Sequence, residues 1–177
     1  EKAYRGWEAN VEARARGLTP PVFIVVCNNT NVSKLVFDYV AGWERPRPDG
    51  TTSVVPGKLA VFSNEQGGRW RSRPNTLLID SEQLESGEAL DDNFRKAAAD
   101  EIERFRREII ERTGNREEAE NLSDEALLRE VMNTVGKQGR LGGGTRCVVS
   151  VSMLTEGWDA NTVTHVLGVR AFGTQLL

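Results

Sequence analysis

CVVSVSMLTEGWDANTVTHVLGVR, residues 147 to 170, holds two apolar runs separated by a short polar stretch. CVVSV and VTHVLGV are rich in β-branched residues and too apolar to be half exposed, the pattern of strands covered on both faces. Between them Gly157 permits a tight turn, Asp159 can accept backbone amides and Trp158 can cover a core edge. Strand, turn and strand account for every member of the stretch.

The same grammar recurs upstream. VFIVVC, residues 22 to 27, is a continuous β-branched run, followed by the polar turn NNTN and by VSKLVFDYVAG, with Val32, Leu35, Val36 and Tyr39 at helical spacing. TLLID, residues 76 to 80, restores a buried-strand pattern. A helix is expected from Ala89 to Arg112, with Leu90, Phe94, Ala98, Ile102, Phe105 and Ile109 on one stripe and Gly114 as its cap. A second helix starts at the N-cap Ser123 and runs through Leu127, Leu128, Val131, Met132 and Val135 to Gly136. GKQGRLGGGT then reads as a flexible connector. Strands alternating with helices specify an α/β fold, a parallel sheet with helices on both faces.

Two segments stand apart. Residues 2 to 16 place Tyr4, Trp7 and Val11 on one helical face, ended by Gly17, Pro20 and Pro21, so residues 1 to 19 form a lead-in helix. From 42 to 75, Pro46, Pro48, Pro56 and Pro74 alternate with Gly50, Gly57, Gly67 and Gly68, and only VV and LAVF suit short strands. That composition marks an inserted loop or hairpin excursion within a domain spanning 20 to 177.

Length and composition bound the class. A chain of 177 residues with 38% apolar and 28% charged residues suits one globular domain, and its apolar runs are too short to cross a bilayer. With 23 Lys and Arg against 26 Asp and Glu, the net charge of -3 gives no whole-molecule attraction for a polyanion, so any nucleic-acid contact must be local. Cys27 and Cys147 sit at the edges of apolar runs without metal-ligand spacing, as reduced core thiols do, and a cytoplasmic location follows as the default. The first residue is Glu1 and the last segment is AFGTQLL, which leads us to expect both ends to be cut from a longer chain.

Open parallel sheets bind ligands beyond the carboxyl ends of their strands, which directs attention to CNNTN, IDSEQ and SMLTEGWDAN. The first amides of the helix after CNNTN, with Asn28, Asn29, Thr30 and Asn31, could grip a phosphate; alternatively Thr30 or Asn31 is a plain N-cap. The Gly-rich connector is no phosphate loop, because Gly136-Lys137 is followed by Gln138 and Gly142 to Gly144 lead into a strand. The single His165 lies within VTHVLGV as a hydrogen-bonded core or edge histidine would. RWRSR, Arg69 to Arg73, is either a solvated hairpin tip or a site that stacks on and neutralises single-stranded nucleic acid. DEIERFRRE is a solvated helix face with i,i+4 pairs.

VVSVSMLTEGWDANTVTHVLGVRAFGTQLL closely resembles motif V and the following strand of superfamily 2 helicases, in the branch of type III restriction enzyme helicase (Res) subunits and related restriction-endonuclease ATPases. PPVFIVVCNNTNVSKLVFDYV and NTLLIDSEQLESG look like the first two strand-to-loop units of the same domain. The resemblance runs from Pro20 to Leu177 and implies a second RecA-like domain, the C-terminal helicase domain of a P-loop NTPase. Its fold would be a three-layer sandwich around a mainly parallel sheet, truncated before motif VI. It implies that Gly157 and Asp159 lie at a nucleotide cleft, with Asp159 toward the ribose and the network linking ATP to DNA. Thr155 and Glu156 would border the DNA, and Asn29 with Thr30 would meet its phosphate backbone as motif IV does. ATP and Mg would be cofactors of the parent protein. Its partners would be DNA, the first RecA-like domain, a nuclease domain and a methyltransferase modification subunit, with no membrane.

The chain departs from the family pattern in carrying Val151 where many relatives have a motif V threonine, with Ser152 beside it. It has no Walker A and no DExx pair directly after a strand pattern, and it stops where motif VI would supply an arginine finger. Without those groups the transferring phosphoryl has no charge stabilisation, so the isolated fragment is expected to be inactive toward ATP. The alternative is a non-catalytic DNA-binding or scaffold module with a helicase-like fold. A third reading is a small-molecule-binding α/β domain.

Overall fold

A computed structural model describes residues 1–79, 90, 92–151 and 161–170. At its centre are four parallel strands, β1 (Val22–Cys27), β6 (Thr76–Ile79), β7 (Cys147–Val151) and β8 (Val163–Val169), in the order β6-β7-β1-β8. β1 is flanked on both sides: Ile24 lies opposite Val148 of β7 and Val166 of β8. Parallel pairing of consecutive chain segments needs long crossovers. Here they are α3 (Thr30–Ala41) with the excursion after β1, and, among the described residues, four helices after β6.

Alternate strand residues feed two separate cores, as the two-residue period of a strand requires. Val22, Leu77, Ile79 and Val148 pack with α4 (Asp92–Ala97), α5 (Ala99–Thr113) and α7 (Asp124–Asn133) through Phe94, Ile102, Leu127, Leu128, Val131 and Met132. Val25, Cys27, Cys147 and Val149 face the other way, against Val40 of α3, Tyr4 of α1 (Lys2–Ala9) and the turn residues Val61 and Phe62. Leu127, Leu128, Val131 and Val148 are all 0% exposed. Each such side chain contributes about 1.5–3 kcal/mol relative to remaining in water, which is why both faces of the sheet attract helices. The molecule is therefore an α/β fold built on a parallel sheet, as the strand patterns require. No helix among the described residues is long and apolar enough to cross a membrane.

Several elements differ from their sequence patterns, each for a local reason. The lead-in is two helices, α1 and α2 (Val11–Ala15), because Asn10 leaves the helical conformation and its side chain caps Ala13 N at 2.9 Å. Val11 consequently turns to solvent at 67% exposure while Tyr4 is buried. The long helix breaks at Ala98, where the Arg73 guanidinium takes the Ala97 carbonyl at 3.3 Å and pairs with Glu101 at 3.1 Å. Gly114 ends α5 in the left-handed conformation and Ser123 caps α7 through Ala126 N, both as expected. The short α6 (Arg116–Glu120) lies between them. α7 stops at Asn133, because Thr134 donates its hydroxyl to the Glu130 carbonyl and accepts from Gly142 N.

The glycine-rich connector is a closed series of turns. Gly136 N donates to the Gly142 carbonyl at 3.0 Å, and Arg140 reaches both Glu108 of α5 and Glu130 of α7. A Cβ on Gly142 would sit 2.1 Å from the Val131 carbonyl oxygen, so this glycine serves a close approach of backbones. Burial raises the Glu130 carboxyl above its ordinary range, with Arg140 acting in the opposite sense.

The excursion is two hairpins, β2 (Gly42–Pro46) with β3 (Thr52–Pro56), and β4 (Glu65–Gln66) with β5 (Arg69–Trp70). VV falls within β3, whereas LAVF is a turn. It is fastened to the sheet by buried polar groups. Asn64 Nδ2 donates to the Thr76 carbonyl at 2.7 Å and Thr76 N donates to Asn64 Oδ1 at 2.9 Å. Asn75 Nδ2 donates to the Ser63 carbonyl, and Thr76 Oγ1 donates to that of Phe62.

The greatest departure is β8. Its apolar run implied cover on both faces, yet β8 is an edge strand of the described sheet, with Val166 at 70% and Leu167 at 59% exposure. Of its apolar side chains, Val163 and Val169, at its two ends, pack against the cores among the described residues.

Candidate nucleotide and nucleic-acid site

The carboxyl ends of three strands converge around β1. Cys27, its last residue, pairs with Val151 at the end of β7 and with Val169 at the end of β8. Beyond Cys27 the chain turns through Asn28 and Asn29 into α3, so these side chains stand level with the exits of both neighbouring strands. Thr155, Glu156, Gly157 and Asp159 follow the β7 exit in the chain and lie outside the described residues, as do Trp158 and, of IDSEQ, residues 80 to 83 after β6.

Asn29, rather than Thr30 or Asn31, caps α3. It holds an extended backbone, and its Oδ1 accepts from Val32 N at 2.9 Å, which satisfies one of the unpaired amides of the first turn. That correction leaves Asn29 Nδ2, which donates weakly to Asn28 Oδ1 at 3.4 Å, as the group an anion could meet. Thr30 is exposed, and among the described residues nothing accepts from the amides of Thr30 and Asn31. The aligned peptide dipoles of a helix of 12 residues add a partial positive charge there. Asn28, Asn29 and Thr30 thus form a small donor cluster, suited to a phosphate through backbone and amide contacts without any base-specific reach.

The patterns did not single out Arg170. It follows Val169, the partner of Cys27, and so extends beyond the same edge as Asn28, exposed and without an ion pair among the described residues. Its place at the end of an apolar strand pattern was the available signal. Among the described residues no three His, Cys, Asp or Glu side chains come together as metal ligands.

Elsewhere the candidates resolve into structure. His165 is an edge histidine, stacked on Phe23 with ring centres 4.4 Å apart and with Nδ1 2.7 Å from Thr164 Oγ1. Burial pushes both thiols up, Cys147 to about 12. They are reduced and buried, like small apolar side chains. In RWRSR, Arg73 is committed to Glu101 and to the carbonyls of Ala97 and Leu141, whereas Arg69 and Trp70 are exposed in β5. The α5 stretch expected to be a solvated face with i,i+4 pairs instead carries the i,i+3 pair Arg106–Glu103, while Glu101 and Glu108 pair with Arg73 and Arg140 from other elements. No family model, no curated protein and no solved structure matches the chain.

Proposed function

We propose that the chain is the second RecA-like domain, a three-layer sandwich, of an ATP-dependent DNA helicase or translocase of a type III restriction-like system. The observation that carries this reading is the run LTEGWDAN in the connection between β7 and β8, the two strands that flank β1 and its CNNT exit. The alternation of apolar residues between two cores supports the layered arrangement. The donors at Asn29 and Thr30 support a contact to the phosphate backbone, the sequence-indifferent contact a motor requires.

On this reading Gly157 and Asp159 contribute to a nucleotide site whose phosphate-binding groups belong to the first RecA-like domain. Thr155 and Glu156 border the DNA. ATP with Mg supplies the driving reaction, and opening and closing of the cleft passes nucleotide state to the DNA track. This chain has no P-loop lysine and no DExx acid at a strand end, so its share is coupling.

The test is Asp159→Ala in the complete motor. DNA-stimulated ATPase is expected to fall at least about tenfold, a loss of about 1.4 kcal/mol in coupling, with circular dichroism unchanged. Unaltered stimulation would remove Asp159 from the mechanism. Hydrolysis of ATP by the purified 177-residue chain, free of contaminants, would overturn the assignment of a coupling role alone.

A further inference from the structure

The charge of the molecule is unevenly distributed. Residues 42 to 75 carry six Lys and Arg against three Asp and Glu, a net +3, which leaves -6 on the rest of a chain of net charge -3. Within this basic segment β2 presents a period-two pattern, Trp43, Arg45 and Arg47. Alternation puts the three on one face of the ribbon. Arg47 continues the pairing beyond β2, donating N–H to the Thr51 carbonyl at 2.8 Å. Their partners on β3 and beyond are Val55, Ser53 and Thr51, so no carboxylate stands at the paired positions of this face.

The nearby acids are engaged elsewhere. Glu44 points to the opposite face, where it accepts from Trp70 Nε1 at 2.6 Å. Asp49, in the turn, accepts from Thr51 N and Thr51 Oγ1, and these bonds hold its carboxyl below the usual range. Trp43 is 43% exposed, and Arg45 and Arg47 are exposed with no ion pair among the described residues. An indole and two unneutralised guanidiniums therefore stand together on one solvated face of the ribbon, the combination that stacks on bases and neutralises phosphates.

We infer that the Trp43–Arg45–Arg47 face of the β2–β3 hairpin binds single-stranded DNA. One base stacks on the indole and the two guanidiniums take successive phosphates. Residues two apart on a strand are about 6.6 Å apart, which suits the repeat of an extended polynucleotide backbone. The choice of DNA over other single-stranded polynucleotides rests on the motor reading above. The surface itself rests on the hairpin, away from the strand ends.

Fluorescence anisotropy of a labelled oligo-dT of about 20 nucleotides, titrated with the 177-residue chain between about 50 and 200 mM salt, tests this. Arg45→Ala with Arg47→Ala is expected to weaken binding at least about tenfold at low salt and to reduce the log–log salt slope by about 1.4, the share of two phosphates on a single strand. Trp43→Ala is expected to weaken it at least about fivefold, while Trp43→Tyr retains affinity. The arginine pair and the tyrosine variant keep the question open to test if Trp43→Ala misfolds.

Thr30→Ala, which leaves the Asn29 cap intact, separates the two readings. Loss confined to Thr30→Ala assigns binding to the strand ends and overturns the hairpin. Loss confined to the hairpin variants supports it and counts against the strand-end contact. Wild-type-like binding by the hairpin variants, or no binding by the parent chain, overturns the inference. So does capture of poly-glutamate as tight as that of oligo-dT with no effect of Trp43→Ala, which would mark a surface for acidic proteins. A preference for oligo-U over oligo-dT would overturn the choice of DNA.

Discussion

The hydroxyl of Thr164 replaces a stretch of strand backbone opposite Val22: Val22 N donates to Thr164 Oγ1 at 3.1 Å, and Thr164 Oγ1 donates to the Val22 carbonyl at 3.1 Å. The register slips at this point, Val22 facing Val163 while Phe23 faces His165, so one residue of β8 is unmatched. The unmatched residue restores through its side chain what the ladder loses.

Thr164→Val keeps the β-branched shape and removes the hydroxyl, withdrawing a donor and an acceptor from a residue that is 0% exposed. A buried polar group left without a partner costs about 1–3 kcal/mol, so the variant should lose stability in that range by urea unfolding, whereas Thr164→Ser should lose less. Equal stability of Thr164→Val and the parent chain would show that solvent already satisfies Val22.

The paired bonds of Asn64 with Thr76 imitate a strand of one residue, and both groups are almost fully buried, at 4% and 1% exposure. Asn64→Leu preserves volume but orphans the Thr76 amide and carbonyl together. Destabilisation of about 2–5 kcal/mol is expected, with hydrogen exchange at the Thr76 amide accelerated. An unchanged urea midpoint would mean that the excursion is fastened mainly by Phe62 and Val61.

These examples show where the sequence was legible. β1, β6 and β7 announce themselves because a strand covered on both faces must be apolar at every position, and Gly114 and Ser123 because a helix end is a local chemical event. The Ala98 break was hidden, since its cause, Arg73, comes from a different element. Asn64 has the composition of a turn, and only its partner 12 residues away makes it a core residue. β8 misled for a related reason: apolar composition reports what a strand is suited to bury, and Val166 and Leu167 have nothing over them among the described residues. Of the site, the CNNT exit was found from the strand-to-helix pattern. The identity of its cap was not, because Asn29, Thr30 and Asn31 are all competent and backbone geometry decides among them.

Cys147 gives the fold a signature at high pH. Its thiol is 2% exposed, and burial raises its pKa from 9.0 to about 12, against a smaller opposing effect of a hydrogen bond with Thr76. A thiol raised in the folded state contributes stability that is fully present below the unfolded value and is lost as pH rises through the folded one. Between about pH 9 and 12 the unfolded chain therefore releases a proton that the folded chain retains, and stability should fall by up to about 1.4 kcal/mol per pH unit from this group. Comparing Cys147→Ala with the parent chain isolates that slope from Tyr4 and Cys27, which are also raised by burial. The variant is less stable at neutral pH, because a buried side chain has been truncated, and the gap should narrow as pH rises from about 8 to 10. A gap that stays constant, or fast reaction of Cys147 with an aromatic disulfide reagent in the native chain, would place this thiol in contact with solvent and refute its position in the core.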